Sequence, residues 1–253
     1  MRKDYIGIIL IASSLAILGF SAVNLQLIQN SDSYNAQPDS HRKQSGATAA
    51  LVDALCVSSP DKVFASELVE TLSQAGFSVD VYEGEKVTVD LLYSLPECYD
   101  LLVLRMHSAI HSETLGLYLF TAESYSEEKY LGEQQYQLVK KAYVFNYSEP
   151  VFAVNWMFIK RCMTEKFVNT TVIVMGCDGA LDLKMAKEFF NQGANAYIAW
   201  NGMVLPSHSS KATLQLIKNV YIEKLALRQA VEKANKQVGP DPNSNSMLTL
   251  ILP

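Results

Sequence analysis

Short apolar runs, each followed by an amphipathic stretch, set what this chain can fold into. They read AALVDAL at 49–55, VDVY at 79–82, LLVLRM at 101–106, TVIVM at 171–175 and AYIAW at 196–200. Runs this short and this nearly continuous in apolar residues fit strands buried on both faces. Between the first two, Val63, Leu68, Leu72 and Ala75 recur at helical spacing, after a Ser58-Ser59-Pro60-Asp61 start signal and before a Gly76 stop. Further helices are expected over 87–95, 181–192, 209–225 and 227–238, the last broken by Gly239-Pro240-Asp241-Pro242. Residues 117–122 read as another strand, 151–163 as a strand followed by a helix, and 247–252 (MLTLIL) as a last edge strand. Alternation of this kind predicts an α/β domain built on a mostly parallel sheet with both faces covered. The polar 124–150 segment, rich in Tyr and Glu, is expected as an insert forming a hairpin or lid.

The front of the chain follows a different rule. Residues 6–23 (IGIILIASSLAILGFSAV) carry no charge. As a helix they would cover roughly 27 Å, close to the apolar thickness of a bilayer. Arg2 and Lys3 precede them, so the positive-inside rule puts the amino terminus in the cytoplasm and everything past Asn24 outside. A cleaved signal peptide ending at the small residues Ser21 and Ala22 is the competing reading; the length of the run favours a retained anchor. Residues 25–47 are too polar to bury and read as a flexible linker. The expected organisation is therefore a transmembrane anchor at 1–24, the linker at 25–47, and a globular domain at 48–253, placed at the outer surface of the cell membrane.

The net charge of −5, with no basic block, argues against nucleic acid as a partner. Cysteines stand at 56, 98, 162 and 177, with no C-x-x-C pair, which excludes the usual zinc and thioredoxin patterns. An exterior location permits disulfides without specifying a pairing. The sequons Asn146-Tyr-Ser and Asn169-Thr-Thr agree with that location. His107 and His111 are four residues apart but lack the Glu and third ligand of a zinc site, so no metal is expected. No Gly-rich phosphate loop follows the first strand, where Cys56-Val-Ser-Ser-Pro stands instead.

In open α/β sheets, ligands bind beyond the carboxyl ends of the strands. His107 directly follows one core strand, and Cys177 follows another after a single Gly. Both side chains are thereby placed at one sheet edge, where a Cys nucleophile would have a His base beside it. Glycines on either side of the Cys177-Asp178 pair allow a tight turn, and the amides of Cys177 and Gly179 are candidate oxyanion donors. The plain alternative is a buried structural Cys and a hydrogen-bonded structural His.

The order strand–His107, strand–Cys177, with about 70 residues between, resembles the caspase-like (clan CD) cysteine peptidases. The most similar part is TVIVMGCDGALDLKMAKEFFNQGANAYIAWNG at 171–202, which resembles gingipain and CHAT domains and, through MGCDG, archaeal membrane-anchored proteins of the superfamily. The resemblance implies a three-layer α/β/α sandwich, with Cys177 as nucleophile and His107 as general base or acid. It implies an oxyanion site from backbone donors at Ser108, Asp178 and Gly179, although these relatives usually carry Gly where Ser108 stands. It also implies a substrate pocket near Trp200 and Asn201, with His208 within reach of the same edge. Their plain readings are a core Trp, a turn-forming Asn-Gly and a polar helix start; for Asp178, beside the nucleophile, it is a solvated loop carboxylate rather than a partner for a basic substrate side chain. The implied activity is that of a membrane-anchored endopeptidase acting on peptides or proteins without a cofactor. The alternative is an inactive scaffold of the same fold at the membrane surface. The oligomeric state stays open.

Overall fold

The computed structural model describes residues 46–253 apart from 98, 114–115, 146 and 165. The expected anchor, nearly all of the linker, Cys98 and the first sequon's Asn146 lie outside the described residues. Among the described residues no helix is long and apolar enough to cross a membrane.

Six strands form the main sheet: β1 (Ala47–Asp53), β2 (Phe77–Glu83), β3 (Leu101–Arg105), β8 (Thr171–Val174), β9 (Ala196–Trp200) and β10 (Leu248–Ile251). Their order is β10-β9-β8-β3-β1-β2, and every pairing is parallel except that of β10 with β9. The apolar runs are continuous because successive residues feed two cores. Ala49, Leu51, Leu101, Val103, Ile173 and Ile198 point into one, with α1 (Lys62–Gln74), α6 (Pro206–Ile217) and α7 (Leu227–Val238). Ala50, Val52, Leu102, Leu104, Val172 and Val174 point into the other, with α2 (Val89–Ser94), α4 (Trp156–Cys162) and α5 (Leu183–Asn191). The result is the expected α/β architecture, with a mostly parallel sheet covered on both faces.

Two boundaries differ from expectation for identifiable reasons. Helix α6 begins at Pro206 rather than at Ser209, because a proline near the first turn has no N–H to leave unpaired and its φ is already helical. It leaves the α path at Ile217 and continues as a π-type turn, Lys218–Ile222. That turn places Asn219 in the interior, where its side-chain amide donates to the Ala230 carbonyl at 3.1 Å and accepts from Gln215 at 2.9 Å.

Between β3 and β8 the chain builds a second, antiparallel sheet. Its strands are β4 (Ser108–Ile110), β5 (Leu117–Ser124), β6 (Val139–Ala142) and β7 (Val151–Asn155), in the order β4-β5-β7-β6. The 124–150 segment, expected as a hairpin or lid, is a part of this unit. It carries α3 (Leu131–Gln135) and β6, and β6 pairs with β7 along its whole length. The inserted unit therefore runs from 108 to 155 and starts at the residue after His107.

Candidate active site

Strands β1, β3 and β8 are parallel neighbours, so the turns that follow them emerge at one edge. His107 sits where the two sheets meet. Its carbonyl accepts the Phe120 amide of β5 at 2.8 Å, which fixes its main chain to the second sheet. Its ring is held from the first sheet: Nε2 lies 2.8 Å from the Ser58 hydroxyl, in the turn after β1. The same hydroxyl lies 3.3 Å from the Leu55 carbonyl. When the hydroxyl hydrogen goes to Leu55, Nε2 carries the imidazole proton and Nδ1 is the basic nitrogen.

A buried ion pair fixes the Ser58 turn. Arg105, wholly buried at the end of β3, donates from Nη1 to both Asp53 carboxylate oxygens at 2.8 and 2.9 Å. Its Nη2 donates to the Ser59 carbonyl at 2.7 Å. The strand register sets Asp53 opposite Arg105, so the pair follows from the sheet itself.

The Cys177 turn packs directly on the His107 turn. A Cβ added at Gly176 would lie 2.5 Å from the Met106 carbonyl oxygen and would overlap Ser108 Oγ, so only glycine fits. Ser108 Oγ donates to the Cys177 carbonyl at 2.6 Å. The residue on each side of His107 thus touches the residue before Cys177, or Cys177 itself. In the β4–β5 register His107 and Ala109 are the hydrogen-bonded positions, so the Ser108 amide faces away from β5. Ser108 standing where the resemblance expects Gly therefore keeps its backbone donor and adds a hydroxyl that ties the two turns together.

The expected oxyanion donors do not all survive. The Asp178 amide donates to the Gly202 carbonyl at 2.9 Å, and one N–H serves one strong acceptor. Among the described residues the Cys177 and Gly179 amides donate to no backbone carbonyl. Gly179 is also a packing glycine, because a Cβ there would meet the Ala199 side chain at 2.8 Å. Asp178 adopts the left-handed conformation (φ 60°), which turns the chain back toward α5. Its carboxyl is half-buried, and burial raises its pKa.

Among the described residues no hydrogen bond joins His107 and Cys177. The sulfur is engaged by Val204, whose amide donates to Sγ at 3.4 Å and whose carbonyl lies 3.8 Å from it. Burial pushes the Cys177 thiol above its ordinary pKa; the Val204 amide opposes this, and the charges of Asp178 and Asp241 add to it. Burial, helped by the Arg105 charge, lowers the His107 pKa to about 4. At neutral pH the site therefore holds a thiol and a neutral imidazole.

The expected pocket residues are placed elsewhere. Trp200 is fully buried in the α6 core, and its indole N–H donates to Ser209 Oγ at 3.0 Å. Ser209 in turn donates to the Met175 carbonyl at 2.9 Å, which ties α6 to the end of β8. Asn201 extends the β9–β10 ladder, its side chain accepting the Met247 amide at 2.8 Å. The His208 ring lies against Trp200, and its Nε2 is 3.1 Å from the Gly239 carbonyl at the end of α7. These three residues support the wall behind the Cys177 turn.

Sequence reasoning missed Ser58, Val204 and Asp241. Ser58 was legible only as part of a helix-start signal. Asp241 was legible only as a turn residue, yet its side chain accepts from Leu205 N at 2.8 Å, Asn243 N at 2.9 Å and Ser244 N at 3.0 Å. Burial pushes its pKa up, but these donors outweigh burial and hold it below the ordinary carboxylate value.

No family model matches the chain, and no curated protein matches it. Among solved structures it is similar to the Drosophila initiator caspase Dronc, at 10% sequence identity, over 96% of this chain and 94% of that one, with a TM-score of 0.44.

Proposed function

We propose that this chain is a caspase-like cysteine endopeptidase with Cys177 as nucleophile and His107 as general base, carried at the outer membrane surface by residues 6–23. The observation that supports it most is the contact between the two turns. Gly176 is wedged against Met106 and Ser108, and Ser108 is bonded to the Cys177 carbonyl. Two residues about 70 positions apart are thereby brought to one sheet edge, with glycine required at the point of closest approach.

In this reading His107 takes the thiol proton as the sulfur attacks a peptide carbonyl. A C–S bond forms, and the developing oxyanion is received by the Ser108 and Cys177 amides. The proton then passes to the leaving amine, the C–N bond breaks, and water releases the acyl group from sulfur with His107 again as base. Electrostatically neutral partners suit this sequence, since a proton moves only when a carbonyl is present to be attacked.

A second reading, a caspase-like scaffold without activity, is favoured by one feature: the thiol is bonded to Val204 and the imidazole to Ser58 rather than to each other. Hydrolysis of a fluorogenic peptide library separates the two. The peptidase reading expects cleavage that Cys177→Ala abolishes and that His107→Ala lowers by at least about 100-fold. Cleavage that survives Cys177→Ala overturns it, and no cleavage by either the unsubstituted chain or Asp241→Asn, which frees the segment over the sulfur, leaves the scaffold standing.

A further inference from the structure

Residues 203–205 cross the Cys177 sulfur in an unusual way. The main chain of Val204 meets Sγ with both its amide and its carbonyl, so the segment satisfies the thiol as donor and as acceptor. The side chains on either side, Met203 and Leu205, are exposed at 49% and 36%. Between them the half-buried Val204 side chain packs against the core on the α6 side. The 241–246 turn holds it by polar bonds. Asp241 accepts the Leu205 amide, and the hydroxyls of Ser244 and Ser246 both donate to the Met203 carbonyl, the latter at 2.5 Å. Met203 and Leu205 are thus bonded outward to the turn and Val204 inward to the sulfur, while the Leu205 carbonyl accepts the Ser209 amide at 2.9 Å and joins the segment to the start of α6.

The two carboxylate oxygens of Asp241 have separate tasks. Oδ1 accepts the Asn243 and Ser244 amides, and so shapes the turn itself. Oδ2 accepts the Leu205 amide. We infer that Asp241 is a positioning residue for Cys177: through Oδ2 it pins residues 203–205 as a strap that sequesters the thiol and keeps the resting site latent. The strap's peptide groups are occupied by the nucleophile itself, so Cys177 is released when the strap lifts. The inference rests on the peptidase reading for its biological meaning, but not for its test.

The test uses that division of tasks. Asp241→Asn keeps an oxygen for the turn but sets an N–H against the Leu205 N–H, where only an acceptor fits. Cysteine-by-cysteine alkylation with iodoacetamide, read by mass spectrometry on the full chain, compares Cys177 with Cys56 and Cys162, which lie outside the strap. Sequestration expects Cys177 to react at least about tenfold faster in Asp241→Asn, a ratio of about 1.4 kcal/mol, and faster also in Ser246→Ala, which keeps the Asp241 charge, with the other two cysteines unchanged; acceleration in Asp241→Asn alone is the effect of the lost charge and overturns the strap. If Cys177 reacts equally fast in both proteins, the strap is overturned. If Asp241→Asn loosens the whole fold, Cys56 and Cys162 accelerate as well, and Ser246→Ala, which removes one bond to Met203, then decides by the same ratio. Peptide hydrolysis is measured on the same samples. A shifted alkylation ratio without hydrolysis rejects the peptidase reading and keeps the strap; hydrolysis with an unshifted ratio does the reverse.

Discussion

The turns that carry His107 and Cys177 lie side by side, yet they are restrained by different means. The imidazole is held by a side chain, Ser58, which is itself positioned by a buried ion pair. The thiol is held by main-chain groups of Val204. A single substitution can remove the first restraint, whereas the second yields only to movement of a segment. His107 therefore has a fixed place and Cys177 a conditional one, which in the proposed peptidase suits a base that must wait and a nucleophile that must be withheld.

Three substitutions probe that contrast. Arg105→Met should have the largest effect. It leaves Asp53 buried without its partner and frees the Ser59 carbonyl, at a cost of about 3 kcal/mol, measurable as a lowered urea midpoint. It also removes one of the two causes of the low His107 pKa, so the acid limb of kcat/KM should move up from about 4. An unchanged limb would show that burial alone sets it. Gly176→Ala comes next, because the new methyl must push the Met106 carbonyl and the Ser108 side chain away from the cysteine turn. We expect a loss of about 2 kcal/mol and a fall in activity larger than that in stability; full activity would mean that the contact between turns does not position the pair.

Ser58→Ala should have the smallest effect, about fivefold in kcat, since one hydrogen bond orienting the ring contributes about 1 kcal/mol. The acid limb should stay near 4, because burial and Arg105, not Ser58, depress the His107 pKa. The same depression has a sign in stability. The unfolded chain takes up a proton on this histidine near pH 6.5 and the folded one does so near 4, so this contribution is intact above about 6.5 and is lost as the pH falls toward 4. His107→Gln should flatten that decline in urea titrations.

The parts of the fold and site that were legible in the sequence were those with a local pattern. The main-sheet strands announce themselves because alternate residues feed two cores, and Asp182 and Asp61 cap helices near where the spacing expects helices to begin. The second sheet was hidden for physical reasons. β4 is three residues long, too short for any period, and β6 reads VKKA, with two lysines mid-strand. The positions of His107 and Cys177 followed from strand ends alone. What holds them did not, because Ser58 lies 49 residues from His107, and Asp241 lies 36 from Leu205. Contacts at that separation depend on where whole elements pack and leave no mark on neighbouring residues. Trp200, Asn201 and His208 illustrate the reverse error: proximity to the right edge in sequence does not say which side of the sheet a side chain takes.

Strand β3 is central to the sheet, yet its partners are far along the chain: Leu101 pairs with Ala49 on one side and with Thr171 on the other. Closing loops of that size slows folding, since their entropy is lost before any contact forms. The antiparallel unit at 108–155 changes the problem, because its hairpins form from nearby residues and bring the chain back toward its starting point. During synthesis this unit can be complete while β8 is still in the ribosome, leaving one side of β3 open as an unpaired edge. Cys177 follows the whole of that unit in the chain, so during synthesis the contact between its turn and Ser108 forms only after the second sheet has left the ribosome.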